Sequence, residues 1–409
     1  MREKMGWEKW NFRMNPFEPQ PLESREELQN LFVGREQELR KAKGILASPG
    51  SRIVVEADAG VGKTTFVNKI FSELTEEHPD ILVVPKTIKL ESYLGAEAKW
   101  KISTALAAVL KDLKAEKKWK GRIKHLVAEA RKLEIEGVSI GLGFIPGIAL
   151  KRRDEIPTGP VSHLAEEVKT SVETLLPKLG YRCALVALNN LDALPDEHRK
   201  STLNEIRDFL YSKTISFILL ADDGFYEKAQ SDLPRWRGFL SIDPVALPPF
   251  SSDDMVEIIE KRLTFYSMPT KEAVNPIAED LIEFLCETSA GNLRWTLSTL
   301  GTLASTLLER PSTEDVMTTE MALPTLRAKA QLRLIRLTGA EQKLILKLTE
   351  YGRESFSTDK KFQDMTGYPQ ARLSQLFNSL HRAGHLVKNY KVRKAYYSPA
   401  PDYRLLNGR

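Results

Sequence analysis

The segment Ala57–Thr64 reads A-D-A-G-V-G-K-T and stands between a β-rich apolar run, Arg52–Ala57 (RIVVEA), and a stretch with helical spacing, Thr64–Leu74. A strand running into a glycine-rich turn that opens a helix is the arrangement of a phosphate-binding loop. Main-chain N–H groups and the positive end of the helix dipole then surround an anion. The pattern is complete except that Ala57 takes the first glycine position. Gly60 and Gly62 permit the tight curve, and the amides from Gly60 through Val61 to Thr65 face the β- and γ-phosphates. Lys63 reaches the terminal phosphate oxygens, and Thr64 places its hydroxyl on a magnesium ion. The expected cofactors are therefore ATP and Mg2+.

The rest of the chain fits a sheet built around that loop. Glu36–Leu46 has helical spacing, Ile81–Leu90 alternates as a second strand, and Ala184–Leu188 and Ile215–Leu220 are short, nearly all-apolar runs. Runs of that kind belong to strands buried on both faces of a parallel sheet, and the helical patterns between them place helices on either side. The fold class expected is α/β: a P-loop NTPase parallel sheet followed by a helical lid and a C-terminal winged helix-turn-helix. At 409 residues, 42% hydrophobic and 28% charged, the chain suits two or three ordinary folded domains and excludes a disulfide mini-protein or a globally disordered chain. It has no run of about 18 apolar residues, and its charged start, MREKMGWEKW, lacks a signal-peptide core, so a cytoplasmic protein with no membrane partner is expected. Cys183 and Cys286 each lie in an apolar segment and read as buried thiols.

The boundaries expected are an N-terminal arm over 1–30, the P-loop α/β domain over 31–250, a helical lid over 251–325 and a winged-helix domain over 326–409. Met1–Asn30, with its Trp, Phe and Pro residues, reads as an extended arm lying on the body and followed by a short helix. An insertion occupies about 95–160. Its first part, Ala96–Glu136, is Lys-rich and helical, and its second, Ile135–Leu150, reads either as a buried hairpin or as an exposed apolar tongue. From Ser252 the chain turns helical, over Asp253–Phe265, Ala278–Glu287 and Asn292–Leu308, and Pro311–Leu323 links to the last unit. There Gly339–Glu350, Thr358–Thr366 and Pro369–Ala383 read as three helices, and His385–Tyr390 and Ala395–Pro399 as a hairpin.

In NTPases with such a loop, a second apolar strand ends in acidic residues that orient magnesium and activate water. Here the strand reads ALVALNNLDAL, which puts Asn189 where the first carboxylate belongs and Asn190 where the base belongs. Neither amide accepts a proton at neutral pH. Asp192 follows on a loop as a partial substitute; the asparagines otherwise serve as hydrogen-bonding loop residues. The expectation is nucleotide binding with weak or absent hydrolysis. Asp222 and Asp223, in LLADDGF, are either loop caps or a support for magnesium.

Net charge is only +5, but from Arg327 to Arg409 about 17 Lys/Arg face about 6 Asp/Glu. A basic tail on an acidic body suits double-stranded DNA as a partner. Gln370, Arg372 and Gln375, with Ser374 and Asn378, fall on the polar side of the third C-terminal helix, the one that enters a major groove in a winged helix. Lys388, Lys391, Arg393 and Lys394 crowd the expected hairpin tip and suit phosphates. The competing reading packs this unit on the body or on an additional protein partner.

With these pieces in order, the chain resembles AAA+ P-loop ATPases of the origin-recognition, replication-initiator-like branch, and the neighbouring STAND signalling ATPases. The marks are NPF at Asn15–Phe17, FVGREQEL at Phe32–Leu39, the phosphate loop, LNNLDAL at Leu188–Leu194, the run Arg235–Ile259 and GNLRWTL at Gly291–Leu297. The resemblance implies that Phe32–Arg35, hence Val33, Gly34 and Arg35, lies against the adenine. It implies that Arg294 is the lid arginine sensing γ-phosphate and that Arg235 or Arg237 reaches a neighbour's nucleotide, which makes a homo-oligomer with ATP the expected assembly. Each arginine has a plainer role as a surface ion pair or stacking group. The function implied is an ATP-binding switch coupling assembly to DNA binding, as in replication initiators or transposition regulators; the alternative is a STAND-type signalling ATPase whose winged helix binds protein.

Overall fold

Strand β1 (Arg52–Glu56) is buried over its last four residues because it runs through the interior of a sheet. It pairs in parallel with β5 (Ile215–Ala221) on one side and β6 (Val245–Ala246) on the other. β5 pairs in parallel with β4 (Cys183–Asn189), whose first six residues are buried. Runs such as FILLA and ALVAL have no polar face to present, so a central position is the arrangement that satisfies them. The computed structural model describes residues 6–90, 95–111, 121, 158–191, 196–240, 243–269, 273–309, 316–391 and 394–406. They form two compact units, Glu36–Glu56 with Phe66–Ala246, and Met1–Arg35 with Ala57–Thr65 and Leu247–Arg409.

In the α/β unit the sheet order is β2–β4–β5–β1–β6. The strand expected over Ile81–Leu90 is in fact two, β2 (Ile81–Val83) and β3 (Ile88–Lys89), both paired in parallel with β4. Pro85 brings no N–H to a ladder, and residues 84–87 bow out opposite only 186–187 of β4. Around the sheet lie α1 (Glu36–Leu46), α2 (Lys63–Glu77), α3 (Gly95–Lys111), α4 (Thr158–Leu175), α5 (Asp196–Phe209) and α6 (Phe225–Asp232). The apolar stripes of α3, α4, α5 and α6 close one core with the sheet, in which Val54, Val186, Phe217, Ile206, Val172 and Leu106 meet. Full burial of a residue such as Phe217 is worth about 1.5–3 kcal/mol. The insertion contributes α3 and the start of α4; the hairpin or tongue expected over 135–150 lies outside the described residues. Among the described residues no helix is long and apolar enough to cross a membrane. Cys183 and Cys286 are both buried free thiols.

The other unit is built on α7 (Ser252–Tyr266), α8 (Glu279–Ser289), α9 (Leu293–Leu308) and α10 (Thr319–Leu334). In the arm, Trp10, Phe12 and Phe17 are fully buried among Met255, Leu281 and Leu300, as part of the helical core itself. Arg262, only 4% exposed, donates to the carbonyls of Pro16 (2.7 Å) and Glu18 and fixes the arm's path. The link expected over Pro311–Leu323 is also corrected, since its last five residues are the first turn of α10, capped by Thr318.

The C-terminal elements are α11 (Gly339–Tyr351), α12 (Lys360–Thr366), α13 (Gln370–Arg382), and an antiparallel hairpin of β7 (Leu386–Lys391) and β8 (Lys394–Pro399). Leu373, Leu376, Phe377 and Leu380 are the buried face of α13, and the Phe377 ring stacks on Tyr397 of β8 with centroids 4.6 Å apart. The order is helix, helix, helix, hairpin. A short helix that the sequence pattern does not announce, α14 (Pro401–Arg404), ends it.

Candidate nucleotide site

The phosphate loop is assembled within the helical unit. Gly60 and Gly62 have φ of 88° and 100°, which residues with a Cβ rarely adopt, so the two glycines are required by the curve. Lys63 Nζ donates to the carbonyls of Ala57 (2.6 Å) and Asp58 (3.3 Å), folding its ammonium back over the loop it opens from. Thr64 and Thr65 are half-buried, and Thr65 Oγ1 accepts from the Leu22 amide of the arm at 3.2 Å. The turn's chemistry is a set of main-chain amides, an ammonium and two hydroxyls, the donor set that a polyphosphate and its cation need.

Val33 is buried, and Gly34 and Arg35 both have positive φ (65° and 68°). The Arg35 guanidinium donates to the carbonyls of Val61 (2.9 Å) and Pro248 (3.1 Å) and lies over the Phe250 ring at 4.1 Å. Residue 35 is thus held in an unfavourable backbone conformation by three contacts, two of them on the flank of the phosphate loop. The sequence did not single out Pro248 and Phe250 as its partners.

On the far side of the loop stands the start of α9. Asn292 caps the helix by accepting from the Trp295 amide at 3.1 Å, and its side-chain nitrogen donates to Ala59 O at 2.8 Å. The Arg294 amide donates to Gly60 O at 3.1 Å, while its side chain is exposed. A Cβ at Gly60 would lie 2.4 Å from Asn292 Oδ1, so this contact adds a second reason for glycine there. Asn292 went unmarked in the sequence, although an Asn after Gly just before an apolar helix is a capping signal.

The α/β unit holds the candidates Asn189, Asn190, Arg235 and Arg237. Asn189 ends β4, its Oδ1 accepts from the Asn190 amide at 2.9 Å, and Asn190 itself has φ 63°. Asparagine suits both tasks, bonding its neighbour's main chain and tolerating the left-handed region. Asp192 lies outside the described residues. Arg235 is exposed and pairs with Asp208 at 3.2 Å, and Arg237 donates to Gln230 O at 2.9 Å. Between them Trp236 is wholly buried and packs edge-on to Phe239, so it orders this segment with both arginines turned outward.

One group was missed altogether. Glu56 ends β1 immediately before the loop, is 5% exposed, and accepts from the Tyr226 amide at the start of α6. Burial, with Asp223 and Glu227 nearby, pushes its carboxyl from an ordinary 4.5 up to about 7, against the lowering effect of the Tyr226 and Gly224 amides. The only hint in the sequence is a single charge closing an otherwise apolar strand.

On the C-terminal elements Gln370, Arg372 and Gln375 are exposed along α13, with Arg372 Nη1 3.5 Å from Gln375 Oε1. Lys388 lies over the Tyr397 ring and Lys394 over Phe356. The backbone of Lys391 sits at the hairpin end paired with Lys394, and Arg393 lies outside the described residues.

A parallel sheet whose β1 runs into a loop of this sequence and conformation defines a nucleotide-binding P-loop NTPase. Residues 40–233 match the KAP family P-loop domain. No curated protein matches the chain in sequence. Among solved structures the chain is similar to the Aeropyrum pernix ORC1 protein in complex with DNA, at 16% identity over 97% of this chain and 96% of that one (TM-score 0.49). It is also similar to the Aeropyrum pernix ORC2 protein in ADPNP–ADP complexes, at 14% identity over 97% and 96% (TM-score 0.48). A Thermotoga maritima RuvB variant shares 14% identity over 92% and 94% (TM-score 0.43).

Proposed function

We propose that this protein is an ATP-dependent switch in which a triphosphate with Mg2+ on the Ala57–Thr65 loop is sensed by the helical lid, promotes assembly with further copies, and sets a basic C-terminal winged helix on duplex DNA. The observation that carries the reading is the direct bonding of the lid to the loop, Asn292 to Ala59 and Arg294 to Gly60. A phosphate that reorganises the loop cannot leave the lid unaffected. The Arg294 side chain is exposed, and a guanidinium suits a γ-phosphate by bidentate geometry. Thr64 would hold the cation.

The Asn189–Asn190 pair argues for a state held by ATP more than one driven by its cleavage. Steady-state hydrolysis is expected below about one per second, on and off DNA; a faster rate from pure protein contradicts this part of the proposal.

DNA contact is supported by the basic C-terminal composition and by the exposed polar side of α13 beside the lysine-rich hairpin. Reversing Lys391, Arg393 and Lys394 to Glu is expected to weaken duplex binding by at least about a hundredfold at 100 mM salt. The wild-type affinity should also fall steeply with salt as phosphate contacts release counterions. Gel-shift titrations at two salt concentrations, with ATP, ADP and neither, test this; an unchanged affinity in the triple variant removes DNA from the account.

A further inference from the structure

The turn between α8 and α9 is gripped from two directions. On one side it holds the phosphate loop through Asn292 and Arg294. On the other, the Trp295 indole Nε1 donates to Asp402 Oδ1 of α14 at 3.3 Å, and Arg404 of α14 donates to Thr288 O, just ahead of the turn, at 3.0 Å. We infer that this turn is the coupling element between the nucleotide loop and the C-terminal hairpin, with Trp295, Asp402 and Arg404 as its positioning residues.

Three observations make the turn a stiff transmitter. Gly291 has φ 73°, and a Cβ there would lie 2.4 Å from Phe250 O, so the backbone has no room to shift independently of residue 250. Ser289 Oγ accepts from the Asn292 amide at 3.1 Å and pairs with Thr296 Oγ1 at 3.1 Å, inside the core. Asp402 is 8% exposed and also bound by Arg333, so its carboxylate is satisfied from both α9 and α10 and is anchored there. From α14 the contact reaches the hairpin directly, because Arg404 also approaches Ser398 Oγ of β8 at 3.4 Å.

The inference rests on the reading that the loop binds a triphosphate. A ligand shifts a conformation only as far as it binds two states differently. Here the difference is local: the carbonyls of Ala59 and Gly60 engage the turn in the structure described, while a γ-phosphate attracts the Arg294 side chain two residues from Asn292. Coupling of this kind typically changes the second site by about 5- to 150-fold.

The test uses the full chain, with hydrogen exchange of residues 395–406 measured with and without saturating ATP and magnesium, beside ATP affinity measured by equilibrium titration. In the wild type, exchange in that segment is expected to change at least about fivefold on ATP binding. In Trp295→Phe, which keeps the ring and removes the donor, ATP should bind within about twofold of wild type while the exchange response falls below about twofold. Asp402→Asn should show the same separation. An undiminished response in both variants overturns the inference, as does a wild type that binds ATP without any change in that segment. A wild type that binds no ATP sinks instead the nucleotide reading beneath it.

Discussion

Lys63→Ala is expected to lower ATP affinity by at least about a hundredfold, about 3 kcal/mol, without unfolding the protein. Its ammonium donates to two carbonyls of its own loop, Ala57 and Asp58. Truncation frees the carbonyls of buried Ala57 and half-buried Asp58, and the apolar cores of both units are untouched. The lost contact is therefore specific to the ligand: a charge-assisted hydrogen bond to phosphate that the loop amides cannot replace. Equilibrium binding with a labelled adenine nucleotide, beside a thermal melt, separates the two effects. Equal affinity in variant and wild type would mean that the loop holds no polyphosphate.

The second large effect concerns stability and pH. The Glu56 carboxyl holds its proton up to about 7 in the folded state, against about 4.5 in the unfolded chain. Below about pH 4.5 both states are protonated and the carboxyl costs nothing. Between 4.5 and 7 the unfolded chain ionises while the folded one keeps its proton, so stability falls; above 7 the loss is complete, at about 3 kcal/mol. Glu56→Gln keeps an oxygen to accept from the Tyr226 amide and removes the ionisation. Its expected gain is therefore about 3 kcal/mol at pH 8 and close to nothing at pH 4, read from urea melts at the two values. A variant no more stable than wild type at pH 8 would show that Glu56 is ionised at little cost where it stands.

These two residues also mark what the sequence could and could not disclose. Lys63 was legible because the chemistry of the loop is local: the strand, the two glycines and the lysine are contiguous, and their spacing alone shapes the turn. β4, β5 and α1 were legible for the same reason, being continuous apolar or periodic runs. Glu56 was not, because its environment is made by sheet register. Pairing of Glu56 with Ala221 brings the end of β5, and with it Asp223 and the start of α6, beside the carboxyl. Pro85 was visible, yet alternation continues across it, and only pairing with β4 shows that the ladder breaks there. The four-residue helix α14 is too short to carry a period, and what makes it matter, its hold on Trp295 and Thr288, joins residues more than a hundred positions apart. Asn292 falls between these cases: its capping role is local, and its bond to Ala59 is not.

The arm teaches a related lesson. Trp10, Phe12 and Phe17 stand on a proline-rich segment without an apolar period, so nothing local names the residues that bury them. Their partners in α7, α8 and α9 lie more than two hundred residues away.

The most direct test of the whole account is a calorimetric titration of the intact protein with ATP in the presence of magnesium, repeated with ADP. A saturable binding isotherm with one nucleotide per chain, lost in Lys63→Ala, is the predicted result. No heat of binding for either nucleotide up to millimolar concentration, from protein that melts cooperatively, would contradict it.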